Sequence, residues 1–547
     1  MNEVAEPGVA SSVSVPTRAR RTCSNPRWLL LVIFLVAATV RVLVAGRTGL
    51  WPDEIFSLAI ATGHSLEHPA ATADVNLGDF AEPDHPVQAE EFRRYLRHDN
   101  PPENPARVMR AALLSDTSPP LYYLFLYGWT LLFGASDVAL RLFSTACALA
   151  CLPLLIAIAR LIGNRSAAIY TCLLFTFSPL AIYYSTEGRM YSLLWLCVLG
   201  TTWASLVLQQ RGGTVVTYAT WVVASASGFL THYFFIFPWL AIVLYLLIKP
   251  GKVGRHYLAF CLLAVLGLIV PWYINLPRSL AAWRITQDWL KWRPSGFRHL
   301  TALRDIVFQF FSGHENHLWM GRRRSSIVAL GLFVVIAAVT LWKVRLRVFE
   351  RGRFLLILVF VAACAGPLLF DFVQHTYTSA VPRYAIAALP AAYLLAGYAV
   401  SCLGGRKGLV MLGCVLVSWS PNLFSLYQNR LPWAPLREIA RSASTNGSPS
   451  DLILVHSIPS GVLGIARYVD GPALLASWVG QLGNRRMPGS LEQLAAGRKR
   501  VLFIKVHEVG EPAPEEEWLR ANAVVFSEAR LGFALITDFR PRESTTF

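Results

Sequence analysis

"SPPLYYLFLYGWTLLFG", residues 118–134, decides the topology of this 547-residue chain. The run is aromatic-rich and opens on two prolines. Crossing the hydrocarbon of a bilayer takes about 20 apolar residues, so the run is of intermediate length. Around it lie longer apolar runs that read as spans: roughly 28–46, 138–162, 166–184, 190–208, 214–231, 233–248, 257–276, 325–342, 354–370, 384–403 and 408–426. Basic residues in short loops decide whether 118–134 crosses as well. If it does not, one side collects Arg18, Arg20, Arg21 and Arg27, then Arg165, Arg211, Lys249, Lys252 and Arg255. The same side gains the 343–353 cluster and Arg406/Lys407. If it does cross, the N-terminal arginines fall opposite most of these. The pattern therefore predicts about eleven transmembrane helices, a cytoplasmic N-terminus, and residues 118–134 as an interfacial or re-entrant helix.

Composition agrees. Hydrophobic residues make up 54% of the chain and charged residues only 15%, against about 25% charged in soluble domains. The net charge of +17 sits largely in short loops between apolar runs, which argues against nucleic acid as a partner. The nine cysteines are mostly embedded in apolar runs and read as packing residues, with no disulfide framework or metal spacing. The apolar part of the N-terminal segment, residues 28–46, exceeds the roughly 7–15 residues of a signal-peptide core and reads as a retained first span.

The topology divides the chain into a cytoplasmic tail (1–27), a transmembrane domain (28–427) and an extracytoplasmic domain (428–547). Two long outer loops are expected. Residues 47–137 carry thirteen Asp/Glu and six Arg; residues 277–324 carry nine Lys/Arg against three Asp/Glu. The second breaks the positive-inside pattern locally, at "GRRRSS" (321–326). The tail alternates strand-like runs ("DLILVH", "RVLFIKV", "AVVFSEA", "GFALITDF") with helix-like pieces ("GVLGIARYV", "SLEQLAAG", "EEEWLRAN"). That is the pattern of a small α/β domain.

On this topology the unusual polar clusters share the outer face. They are Asp53-Glu54 after the first span, "SDTSPPLYY" (115–123), "YYSTEGRMY" (183–191), "THYF" (231–234) and "HTYTSAVPRY" (375–384). Charged groups at the bilayer edge that converge from several turns point to a substrate site at headgroup depth. Energy for synthesis on that face must arrive within the substrate. A polyprenyl-phosphate sugar brings its own leaving group; its transfer needs a carboxylate base and donors for the departing phosphate.

"LWPDEIFSL", "DTSPPLYYLFLYGWTLLFGASDVALRL", "FSPLAIYYSTEGRMYSL", "THYFFIF" and "VPRYAIAALP" together resemble the GT-C membrane glycosyltransferases. The similarity is greatest to the family 39-like enzymes, relatives of protein O-mannosyltransferases and of the lipid A aminoarabinose transferase. It runs in motif order over about residues 28–430. It implies a GT-C fold with juxtamembrane helices in the first outer loop and inverting transfer from a polyprenyl-phosphate sugar. The acceptor would be a hydroxyl of a glycan, lipid or protein, and no nucleotide or redox cofactor is implied. Asp53 matches the family's catalytic aspartate, and Glu54, its neighbour in the Asp-Glu pair of the site, is expected to orient the loop or a substrate. Where the family often has His or Lys before Pro-Pro, this chain has Ser118. The candidate substrate contacts are Asp116, Glu187, Arg189, Tyr191, His232 and Arg383, with His375 and Tyr377 behind them. "HENH" (314–317) lacks the spacing of a recognised metal site. The alternative is a transporter or flippase, which would place charges near the midplane in repeated halves; no repeat is visible here. The site is expected at a plasma (inner) membrane.

Overall fold

The computed structural model describes residues 26–67, 72–115, 118–277, 298–313, 323–350, 352–428, 435–444, 447–477, 488–507, 513–542 and 546–547. The chain is a helical membrane protein with a mixed α/β sheet domain at its C-terminal end.

Eight helices among the described residues are long and apolar enough to cross a membrane, or nine if one bent pair counts as a span. The first is α1 (Pro26–Ala45). Four short helices follow it in the first loop: α2 (Pro52–Ala61), α3 (Ala89–Arg93), α4 (Pro105–Ser115) and α5 (Leu121–Phe133). The run 118–134 thus forms a 13-residue helix. At 1.5 Å per residue it reaches about 20 Å, short of the roughly 30 Å hydrocarbon. Next come α6 (Asp137–Ile162), α7 (Arg165–Phe177), α8 (Pro179–Ser185), α9 (Tyr191–Arg211), α10 (Val215–Phe229), α11 (Ile236–Ile248) and α12 (Arg255–Tyr273). Further spans are Arg324–Val344, Arg353–Gln374, Pro382–Leu403 and Gly405–Tyr427.

The expected count of eleven is corrected here. Two expected spans, 214–231 and 233–248, are helices below spanning length: Val215–Phe229 and Tyr233–Ile248. The backbone turns at Leu230–His232, which ends the first at Phe229; the second fills its whole run, which is itself below the roughly 20 residues a crossing takes. Burial separates centre from rim. In α9 83% of the apolar window is buried inside the protein, against 22% in α1 and α12. Trp28, Phe260 and Leu132 stay exposed, as lipid-facing side chains would.

The bent pair has an identifiable cause. Pro179 opens α8, and α7 and α8 meet at 64°. Proline cannot donate to the preceding turn, so carbonyls at the end of α7 lose their partners. The buried Arg41 of α1 supplies them. Its guanidinium donates to the Phe175 and Thr176 carbonyls at 3.0 and 3.4 Å and to Ser185 Oγ at 2.8 Å.

The sheet runs β2 (Leu474–Ser477), β1 (Asp451–His456), β3 (Arg500–Lys505), β5 (Ala534–Pro541), β4 (Ala523–Leu531). β2, β1 and β3 are parallel, whereas β5 pairs antiparallel with both β3 and β4. The helix Pro459–Tyr468 connects β1 to β2. The four strand-like runs of the tail are β1, β3, β4 and β5. The four-residue β2 was not anticipated, because an apolar "LLAS" has no alternation to mark it.

The sheet domain is joined to the membrane domain through the first loop. Tyr468 accepts from the Leu50 amide at 2.7 Å and donates to Asp137 at 2.6 Å. Arg437 and Arg467 also pair with Asp137, at 2.6 and 2.9 Å. Arg93 donates to the Ala466 carbonyl, and Val87 bridges Leu475 at the β2 edge. The helix Pro459–Tyr468 packs on α2 and α3; a Cβ at Gly464 would lie 3.4 Å from Ile55.

Candidate active site

The site is built around the first turn of α2. Trp51 is extended and Pro52 takes the first helical position, where its missing N–H costs nothing. Asp53 and Glu54 then fall in the first turn, where the helix dipole favours carboxylates. Adjacent helical residues point about 100° apart, so the two carboxylates meet different surroundings.

Glu54 is fully buried. Arg141 of α6 grips it bidentately, at 2.7 Å to Oε1 and 2.5 Å to Oε2. The Gly188 amide donates to Oε1 at 2.7 Å and the Trp51 amide to Oε2 at 3.2 Å. Arg141 also donates to the carbonyls of Ala45, Thr48 and Gly49. One guanidinium thus closes the exit of α1 and fastens the start of α2. Such a buried charge is tolerable because nearly every donor and acceptor position is filled.

Asp53 remains about one-quarter exposed. Its Oδ2 lies 2.9 Å from Nη1 of Arg383, whose side chain is 21% exposed. Trp51 and Tyr384 flank the Arg383 guanidinium at 6.0 and 5.5 Å. Arg189 is buried close by. It donates to Ser57 Oγ and Tyr123 Oη at 3.2 Å each and to the Asp53 carbonyl at 3.4 Å.

Glu187 sits in the turn between α8 and α9 and is buried. Its Oε2 has no hydrogen-bond partner among the described residues. Burial holds its carboxyl well above the usual carboxylate range, and the nearby Glu54 and Asp53 add to the rise against Arg189 and Arg383. Tyr191 and His232 stand 6.5 Å apart, centre to centre, with Tyr384 6.4 Å beyond His232. The His232 ring accepts from the Phe234 amide at 3.2 Å.

Asp53, Glu54, Glu187, Arg189, Tyr191, His232 and Arg383 therefore gather at one place, although their positions span 330 residues. Asp116 and the "HENH" cluster lie outside the described residues, as do 278–297 of the basic loop. His375 caps the helix Arg353–Gln374 in a left-handed conformation, and Tyr377 donates to the Arg298 carbonyl. Arg141, Tyr123 and Ser57 were not anticipated as members. Arg141 lies just inside a span, where a lone arginine reads as an anchor, and Tyr123 was hidden in an aromatic run. No cluster of three or more metal-ligating side chains is present among the described residues.

Comparison with known proteins follows the same outline. Residues 117–274 match the family described as dolichyl-phosphate-mannose-protein mannosyltransferase. No curated protein matches the chain. ArnT from Cupriavidus metallidurans in the apo state superposes with a TM-score of 0.60 at 16% identity, over 94% of this chain and 98% of that one. The same protein bound to undecaprenyl phosphate gives 0.56 at 15% identity, over 96% and 100%. At such identity the likeness establishes the fold, which is GT-C.

Proposed function

We propose, from the premise that this chain is a GT-C membrane glycosyltransferase of the protein-mannosyltransferase type, that it moves a sugar from a polyprenyl-phosphate donor to an acceptor hydroxyl, with inversion. Asp53 takes the acceptor proton as the oxygen bonds to the anomeric carbon. The bond from that carbon to the phosphate oxygen breaks, and polyprenyl phosphate leaves. Arg383 is the cation for that phosphate. In the free protein it pairs with Asp53, and when it turns to the donor the carboxylate is released to act as base. Arg189 holds the α2 backbone at Asp53 and adds positive charge to the same place. Glu54, expected to orient the loop or a substrate, serves as a positioning residue, because all its bonds face inward. Undecaprenyl phosphate bound to ArnT supports a polyprenyl carrier here as well.

The observation that carries this reading is the 2.9 Å pair of a partly exposed carboxylate and a partly exposed guanidinium. A base and a phosphate-binding cation share one site at a helix start. A transporter reading lacks any comparable feature. Under this proposal the site faces outward from the plasma membrane, with the N-terminus cytoplasmic and the sheet domain extracytoplasmic. The direct test is to mix purified protein with a panel of polyprenyl-phosphate sugars and measure release of free polyprenyl phosphate. Release with at least one donor is expected, and none with any donor refutes the activity. A reporter fused after Phe547 is expected to signal the outer compartment; a cytoplasmic signal refutes the orientation.

A further inference from the structure

The sheet domain has a feature that the reaction above does not use. β1 continues through the helix Pro459–Tyr468 to β2 on one side, and the chain then crosses to β3 on the other. The point where strand order reverses therefore lies between β1 and β3. In open sheets with parallel strands, ligands bind in the crevice beyond the strand C-termini at such a reversal. Here those ends carry His456-Ser457 and Val506-His507.

Three observations bear on this crevice. Ser457 Oγ and His507 Nδ1 are 2.7 Å apart. Ser460 Oγ is buried without a hydrogen-bond partner among the described residues, and His456 and Glu515, which pair through Nδ1 and Oε1, leave Nε2 and Oε2 buried and unsatisfied; buried polar atoms are normally satisfied, so these call for an explanation. The crevice also lies beside α2: the helix that starts at Pro459 packs on it, and Asp53 is close enough to act electrostatically on His507.

The charge state narrows the ligand. Burial pushes the His507 imidazole down to about 4, against the pull of Asp53 and with a further push from His456. The ring is neutral at pH 7, so it supplies no cation for a phosphate. If the Ser457 hydroxyl donates to Nδ1, the proton resides on Nε2, which is then a neutral donor. Neutral groups that donate and accept suit vicinal hydroxyls.

We infer that the crevice between the ends of β1 and β3 is the acceptor subsite, in which Ser457 and His507 bind a sugar-type polyol and present one of its hydroxyls to Asp53. The inference rests on the proposed transfer reaction and adds the acceptor class to it. Ser457 and His507 are positioning residues: they select what attacks, while the donor is handled by the membrane domain. Water, the smallest acceptor, has no need of them.

The test uses the full-length protein with a donor shown to release polyprenyl phosphate, radiolabelled in its sugar. An envelope fraction from cells lacking the protein serves as acceptor. Transferred label and free sugar formed by hydrolysis are measured together, alongside undecaprenyl phosphate binding and melting temperature. For H507Q and S457A the ratio of transfer to hydrolysis is expected to fall at least tenfold. Hydrolysis, carrier binding and melting are expected to stay within twofold or a few degrees of wild type. An unchanged ratio, or a parallel loss of transfer and hydrolysis, overturns the subsite. Wild-type label arriving on protein rather than glycan or glycolipid overturns the acceptor class. A wild-type protein that releases no polyprenyl phosphate from any donor refutes the transfer reaction itself, which separates the two failures.

Discussion

Two arginine–carboxylate pairs stand one residue apart on α2, and they differ in almost everything but composition. In Arg141–Glu54 the side chains are 5% and 0% exposed, and backbone amides and carbonyls fill the remaining positions. In Arg383–Asp53 they are 21% and 27% exposed, and under the proposed reaction each exchanges its contact for a substrate. The first has the geometry of a fixed joint, the second that of a site at rest. Like chemistry thus serves opposite ends, because burial decides whether an ion pair can be opened at acceptable cost.

The comparison can be broken most forcefully at Arg141. Arg141→Ala strands a buried carboxylate, and a loss of about 3–5 kcal/mol of stability is expected, read as a collapsed melting temperature or failure to express. If R141A melts like wild type, the fixed joint is an illusion. Arg383→Ala should leave melting nearly unchanged and lower turnover about 10²–10³-fold, the usual cost of removing one donor to a developing oxyanion. Steady-state release of polyprenyl phosphate checks this, and full activity would remove Arg383 from the site. Gly188→Ala sharpens the contrast further. Its new Cβ would lie 2.7 Å from Leu140 Cδ2 and 3.3 Å from Glu54 Oε1, so a loss of about 1–3 kcal/mol from overpacking is expected. An unshifted melting curve would mean that the Glu54 pocket is loose.

The smallest effect concerns Glu187, whose carboxyl is held above its ordinary range in the folded protein. Between the unfolded and folded pKa the native state binds more protons, so stability falls as pH rises through that window. Glu187→Gln cannot titrate. It should remove this downward slope and melt at least as high as wild type at neutral pH. Equal slopes in the two proteins, measured by melting across pH 4–8, would show that Glu187 is already ionised.

Much of the architecture was legible in the sequence because it depends on local quantities. Run length marked residues 118–134 as a helix shorter than the spans, and alternation marked four strands of the sheet. The halt of α10 at Leu230 was not legible, since the apolar run continues past the turn. The converging site residues were visible as polar clusters in the turns between apolar runs. The priority of Asp53 over Glu54 was already readable in the motif; the bidentate Arg141 grip on Glu54 was not, because it depends on which neighbour occupies each face of α2. Arg141 and the Ser457–His507 pair come from distant segments, and no local pattern ties them to α2.

The central claim is that Asp53, and not its neighbour, does the chemistry. The most direct measurement is polyprenyl phosphate release by Asp53→Asn, normalised to folded protein by its melting transition. Loss of the base should lower release by about 10²–10⁴-fold with the melting temperature unchanged. Release equal to wild type from a folded D53N protein would contradict the account.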